Sequence, residues 1–523
     1  MAVLSRLGLA VLAATLTTIL SPSGFFPAAS ADSSEASEHT PAEDDEQSPT
    51  LTLDYRLWGI GGNDGSAARQ DLPGHASGGL IYQRLRGGVS GEVGGFRGVL
   101  EADFLTGSLA GSPALATPAA ARTGTSAERR VLDGYANIVD PRQAYVRYRN
   151  SSFGQIDVGL QTSDWGLGIL ANDGAIESDR LFNHTYGGDR VFRATFATAP
   201  FAKTGSKFGE NFLVAAGGDL VYRDEQASLQ NGDRAGQAVL ALLYRGEDLR
   251  GGHYLTYRSQ SDVDGDSLSA LALDYYLEYT WKPSEELELR AGAETAFLFG
   301  HTNRTTSPTT GEPVDVRGIG AAGEFEIGYR PAHLRLRLRG GYASGDGNLE
   351  DGTVRRFRFD PNYKVGLVLF DHFMPAISTA SYRRIHDPTR SAEPPKGAVE
   401  FVNPGSVSNA LYLNPNLLIG REDGLLTGIG FLWARAAQPV LDPYESFANG
   451  GAPTGISGKS PAGRDLGWEV DVAARYRYQP FESLTFEAKA EYGLLFPGSA
   501  FESADGASAP PENLVRASLA AMW

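Results

Sequence analysis

Apolar and polar positions alternate with a period of two over much of this chain, and the alternation is longest at its end. Trp468, Val470, Val472, Ala474, Tyr476 and Tyr478 fall on one side of a run whose other side carries Glu469, Asp471, Arg475 and Arg477. A period of two is that of a β-strand with two unlike faces. Leu484, Phe486, Ala488, Ala490 and Tyr492 repeat the pattern against Thr485, Glu487, Lys489 and Glu491, and the chain closes with Val515, Ala517, Leu519, Ala521 and Trp523 on one face. Upstream, Leu51, Leu53, Tyr55 and Leu57 oppose Thr52, Asp54 and Arg56, and Phe96, Leu100, Ala102 and Phe104 oppose Arg97, Glu101 and Asp103. Two hairpins are plain in the middle. Leu271 to Trp281 returns through Lys282-Pro-Ser-Glu as Leu287 to Phe299, and Phe325 to Tyr329 returns as Leu334 to Arg339.

The connections between these runs are uneven. Short turns such as Asn150 to Ser152 alternate with long stretches lacking periodicity: Thr106 to Arg142, Trp165 to Arg190, Tyr342 to Gly405 and Gln438 to Arg464. A β-sandwich would have more even connections. The pattern predicts an all-β fold, a closed antiparallel transmembrane β-barrel of roughly 18 strands (about 16–18) with long external loops. Trp58, Phe104, Trp281, Phe299, Trp433, Trp468, Tyr478 and Phe496 recur near strand ends, where the two lipid interfaces of a barrel call for aromatic girdles. The Gly-rich, Asp-rich Trp165 to Arg190 segment reads as a loop that folds inward.

Composition narrows the picture. With 64 Gly among 523 residues and 41% hydrophobic residues the chain suits turns and a wetted interior, and beyond the leader no apolar run is long enough for a membrane helix. The leader is Arg6, the apolar run Leu7 to Leu20 and the small-x-small site Ala29-Ser30-Ala31. We expect a signal peptide over residues 1–31, a disordered acidic periplasmic tail over 32–49 and the barrel over 50–523, in the outer membrane of a Gram-negative bacterium. The absence of cysteine neither demands nor excludes an oxidising compartment. A net charge of -17 argues against nucleic acid as a partner. The expected partners are outer-membrane lipid and lipopolysaccharide, with the barrel assembly machinery reading the C-terminal strand.

The polar faces carry the candidate chemistry. Arg84 and Arg86, Arg147 and Arg149, Arg335, Arg337 and Arg339, and Arg475 and Arg477 stand two residues apart, so each set shares a face at a spacing of about 7 Å. Arg97 and Arg290 join them as candidate pore-lining residues, opposed by Glu101, Asp103, Asp274, Glu278, Glu469 and Asp471. Two readings stay open. A cross-strand ladder of ion pairs would keep the barrel rigid, and guanidinium groups left unpaired would bind the carboxylates of an acidic solute.

Two stretches are more specific. Tyr342-Ala-Ser-Gly-Asp-Gly-Asn with Phe357-Arg-Phe-Asp-Pro-Asn-Tyr-Lys-Val-Gly-Leu-Val-Leu-Phe370, and Gly467-Trp-Glu-Val-Asp with Tyr492-Gly-Leu-Leu-Phe-Pro-Gly-Ser-Ala-Phe501, resemble the alginate-export type of outer-membrane barrel. The resemblance covers mainly residues 340–523. It implies an anionic polysaccharide moving outward through an arginine-containing lumen, with a secretion partner in the periplasm. The alternative is a general or nutrient-uptake porin for small solutes, and a third reading is a structural scaffold. Nothing points to an enzyme. His184 with Asp189 and His253 with Ser259 lack a recognisable catalytic spacing, so no protease or phospholipase site is expected. Asp262-Val-Asp-Gly-Asp266 lacks the distal Glu of a calcium loop and reads as a hairpin turn. No cofactor and no metal is expected.

Overall fold

The computed structural model describes residues 47–63, 77–111, 137–175, 181–182, 187–307, 310–348, 351–390, 396–450 and 452–523. The expected signal peptide, most of the acidic tail and His184 lie outside them. The first half of the wall is β1 (Gln47–Asn63), β2 (Ser77–Val93), β3 (Phe96–Gly111), β4 (Asn137–Asn150), β5 (Gly154–Thr162), β6 (Arg190–Thr198), β7 (Phe212–Arg223), β8 (Arg234–Arg245) and β9 (Leu249–Ser261). The second half is β10 (Ser267–Trp281), β11 (Leu287–Thr306), β12 (Pro313–Tyr329), β13 (Leu334–Ala343), β15 (Ala410–Gly420), β16 (Leu425–Ala436), β17 (Asp465–Phe481), β18 (Leu484–Pro497) and β19 (Glu512–Met522). A two-residue strand, β14 (Thr353–Val354), adds in parallel to β12. The wall is therefore an 18-stranded antiparallel barrel, in which every strand pairs with its neighbour in sequence and β13 pairs with β15.

The barrel closes through β1 and β19, from Asp54 opposite Met522 to Gly62 opposite Leu514. Leu53 and the terminal Trp523 exchange backbone hydrogen bonds of 3.0 and 2.7 Å, so the last residue of the chain completes the ring. Closure satisfies the backbone groups that an open sheet edge would expose to lipid. Leu277, Tyr279, Trp281, Phe299, Leu336, Leu338, Val472, Tyr476, Val515 and Leu519 are exposed on the outer face, as a lipid-facing band requires. Among the described residues no helix is long and apolar enough to cross a membrane; the strands do the crossing.

The interior differs from a wetted bore in one sector. Phe357, Phe359, Tyr363, Leu367, Val368, Leu369, Phe370, Phe373 and Ile377, all from the long β13–β15 connection, form an apolar body inside the barrel. They pack against inward-facing wall residues, among them Tyr412, Leu418, Leu426, Leu432, Leu495 and Leu514. Trp58 belongs to this interior. It is buried, stacks on Tyr82 at 5.0 Å and lies under the Arg84 guanidinium. That corrects its assignment to the lipid girdle: Tyr55 and Leu57 take the odd, outer positions of β1, and position 58 turns in with Asp54 and Arg56. Phe501, from the Leu-Phe-Pro-Gly-Ser-Ala-Phe motif, caps the body by packing edge-on to Phe373 at 4.8 Å.

Candidate functional site: a charged lumen crossed by two tethered loops

The pleat of each strand turns alternate residues inward, and the two-residue spacing of the arginines keeps each set on one face. Once there, most are committed to partners. Arg86 binds Asp103 at 2.6 and 3.1 Å, Arg147 binds Asp157 at 2.9 and 3.0 Å, and Arg337 binds Glu326 at 2.6 Å. Arg290 reaches Glu278 at 2.9 Å, Arg335 reaches Glu422 at 2.6 Å and Arg477 reaches Glu487 at 2.7 Å. Arg339 donates to the Lys364 carbonyl and to Asn414, Arg475 to the Glu422 carbonyl, and Arg149 to Gln155. Arg84 lies 3.9 Å from Asp54, and Arg97 stands opposite Glu92 on β2 and Arg147 on β4. Glu101 takes Arg142 at 3.0 Å. The ladder of ion pairs expected from the sequence is thus the dominant arrangement, and it includes pairs whose partners the sequence did not single out, such as Arg193 with Asp219 at 2.8 Å on both oxygens.

Two wall carboxylates do something else. Glu294 on β11 is 1% exposed and accepts the backbone N–H groups of Leu167, Gly168 and Ile169, the last two at 3.0 and 3.2 Å. Glu469 on β17 is fully buried and accepts those of Leu367, Val368 and Leu369 at 2.5, 2.8 and 2.7 Å. In both loops the three amides follow a glycine in the left-handed region, Gly166 at φ 63° and Gly366 at φ 71°. The left-handed turn aims successive N–H groups at one point, a concavity suited to an anion. Neither glycine tolerates a side chain there: a Cβ would lie 2.5 Å from Glu294 Oε2 at position 166 and 2.8 Å from Glu469 Oε1 at position 366. Asp274 adds to the first grip by accepting the Trp165 indole N–H at 3.2 Å, Trp165 stacks on Tyr254 at 5.3 Å, and Asp471 lies fully buried beside Glu469. Phe182, further along the first loop, donates its N–H to Glu491 at 2.8 Å.

The loops meet. Asp360 N–H donates to the Ile169 carbonyl at 2.9 Å, and Leu167, Ile169, Leu181 and Phe182 join the same apolar body as Phe357 and Val368. The barrel interior is thereby crossed from β11 to β17. Towards the short-turn end, beneath Leu167, a cleft is lined by Glu278, Arg290, Gly292, Glu324, Glu326 and Arg337. Its charges are of both signs. In the sequence Glu294 is one more acid on the polar face of β11. The signal that would have found its role is a buried-face Glu together with a Gly-rich segment, Trp165-Gly-Leu-Gly-Ile, whose amides have no strand partner.

No family profile and no curated protein sequence matches the chain. Its fold is similar to that of Acinetobacter baumannii OccAB1, with a TM-score of 0.50, 11% identity, and coverage of 93% of this chain and 99% of that one. Pseudomonas aeruginosa OccK5 (OpdH) aligns with a TM-score of 0.47 and 12% identity over 91% of this chain and 97% of that one. Pseudomonas aeruginosa OpdK solved with vanillate aligns at 0.45 and 12% over 90% and 98%. The chain therefore has the closed 18-stranded barrel fold of these Gram-negative proteins, and its lipid-facing outer band fits the outer membrane.

Proposed function

We propose that this barrel is a channel for the uptake of small charged solutes rather than an exporter of polysaccharide. One observation carries the reading. Two loops, each gripped by a buried wall carboxylate, join through Asp360 and Ile169 and cross the interior, and the space beside them is a narrow cleft of mixed charge. A polymer needs a continuous wide track, and the guanidinium groups that would line it are held by Asp103, Asp157, Glu278, Glu326, Glu422 and Glu487. The arginines a solute can reach are those that stay at least partly exposed, Arg97, Arg149, Arg290, Arg335 and Arg477, of which the last three keep their carboxylate partners. Arg290 and Arg337 facing Glu278, Glu324 and Glu326 across the cleft suit a molecule carrying a carboxylate together with a donor group. The C-terminal strand serves as the assembly signal, and no periplasmic secretion partner is called for.

Refolded protein in a planar bilayer tests this. A steady current is expected, with block by small amino-acid-like solutes at least as strong as block by uronic-acid oligomers. A silent bilayer, or block by the oligomers alone, would overturn the uptake reading and favour the scaffold or the exporter.

A further inference from the structure

Where the two loops join, a third segment reaches them, and the three segments bring three carboxyl groups together. Asp189 lies just before β6, Glu225 in the β7–β8 turn, and Asp360 in the β13–β15 loop. A carboxylate oxygen of each lies within 4.8 Å of the others. Asp189 and Asp360 are fastened to the first loop by their own backbones, through N–H bonds of 3.0 Å to the Asn172 carbonyl and 2.9 Å to the Ile169 carbonyl. Asp360 is 3% exposed. Its Oδ1 accepts from Asn362, at 2.7 Å from the backbone and 3.0 Å from the side chain, while Oδ2 has no hydrogen-bond partner. A buried carboxylate oxygen facing two other carboxylates needs a cation or a proton. Arg258 and Arg358 lie near Glu225 while hydrogen-bonding Asp224 and Gln260 and the Glu400 carbonyl, and Lys364 near Asp360 pairs with Asp371.

We propose that Asp189, Glu225 and Asp360 form a calcium site that locks the two lumenal loops to the outer end of the wall. Mutual separations within 4.8 Å let one cation reach an oxygen of each residue. Three carboxylates from three separate segments leave the remaining positions to water and carbonyl oxygens, which the adaptable calcium shell accepts and the strict magnesium octahedron resists. Burial, and then the neighbouring carboxylates, raise the protonation range of all three groups, that of Glu225 to about 7. Calcium entry therefore expels protons. The site is independent of which solute the channel carries.

The test is calorimetric titration of calcium chloride into the chelator-treated, refolded full barrel in two buffers of different ionisation heat, with thermal unfolding alongside. One saturable event per chain is expected, with proton release, a rise in the unfolding temperature and weaker binding of magnesium. Asp360→Asn is expected to lose the event and the temperature rise, while Asp264→Asn in an exposed turn keeps both. Should Asp360→Asn not refold, as judged by its gel mobility with and without heating, Asp189→Asn and the half-buried Glu225→Gln decide in its place. No saturable event in the wild type, or an undiminished one in the folded variants, would overturn the proposal.

Discussion

Removing the Glu294 carboxylate should let the first lumenal loop swing out of the bore. Three hydrogen bonds from N–H groups to a charged acceptor contribute about 1.5–3 kcal/mol each. Burial of Trp165, Leu167 and Ile169 adds a similar amount, about 1.5–3 kcal/mol per side chain. Against both stands the cost of ordering the backbone of residues 165–171, about 1–2 kcal/mol per residue and on the order of 10 kcal/mol in all. The loop is thus held in by only a few kcal/mol. Glu294→Ala deletes roughly half of the hold and leaves three buried amides without an acceptor, which tips the balance to a few kcal/mol in favour of the outward state. Every 1.4 kcal/mol is a tenfold change in population. Glu294→Gln keeps one neutral acceptor and should fall between. In single-channel recordings we expect Glu294→Ala to show a larger mean current with frequent transitions between levels, and Glu294→Gln to show the transitions with a smaller gain. A folded Glu294→Ala barrel with the wild-type current and no added transitions would refute the reasoning, because the apolar contacts alone would then be holding the loop.

Four further outcomes follow from particular contacts. Arg193→Met should destabilise the barrel by about 3–5 kcal/mol in denaturant unfolding, since it strands the buried Asp219 carboxylate, and Arg193→Met with Asp219→Leu should recover most of the loss. Brominated lipid should quench single-tryptophan variants retaining Trp281, Trp433 or Trp468 and spare the one retaining Trp58, which lies inside. Gly366→Ala should weaken the Glu469 grip, read as faster hydrogen exchange at Leu367 to Leu369, because its Cβ meets Glu469 Oε1. In calcium-free buffer the junction of the loops should loosen as pH rises from about 4.5 to about 7: Glu225 has a folded pKa of about 7 against 4.5 ordinarily, so the closed state binds the extra proton within that window and loses its advantage as the proton leaves. Hydrogen exchange around Asp360, corrected for its intrinsic pH dependence, reads this directly.

The wall was legible because lipid imposes a period of two on one face of every strand, whatever the other face meets. Leu336 and Leu338 against Arg335, Arg337 and Arg339, or Val515 to Trp523 against Arg516, state their orientation residue by residue, and closure through Trp523 follows from the same register. The inner face obeys no such rule. Where it meets water or a salt partner it is charged, and where it meets a lumenal loop it is apolar, so Ile60, Leu80 and Tyr82 face inward with nothing in their own strands to say so. Trp58 was misplaced for that reason: an aromatic near a strand end fits a lipid interface as well as it fits an inner core.

The lumenal loops were harder to read because their backbone bonds are made to side chains distant in sequence. Leu167 to Ile169 and Leu367 to Leu369 have no strand partner, and in a buried segment each N–H needs an acceptor. Those acceptors stand a hundred residues or more away, on strands where Glu294 and Glu469 look like any other inward acid. The two grips share one construction, a left-handed glycine, three consecutive amides and a buried glutamate. That shared construction ties the state of the bore to two side chains. A glutamate that only balanced wall arginines could be exchanged for another acid or moved by two residues at little cost. One that accepts three converging amides cannot, because a carboxylate drawn back by one methylene, or displaced along β11, no longer reaches the concavity. Glu294→Asp should therefore open the channel nearly as far as Glu294→Ala, although it keeps the charge. That result would separate a tether from a simple electrostatic balance of the lumen.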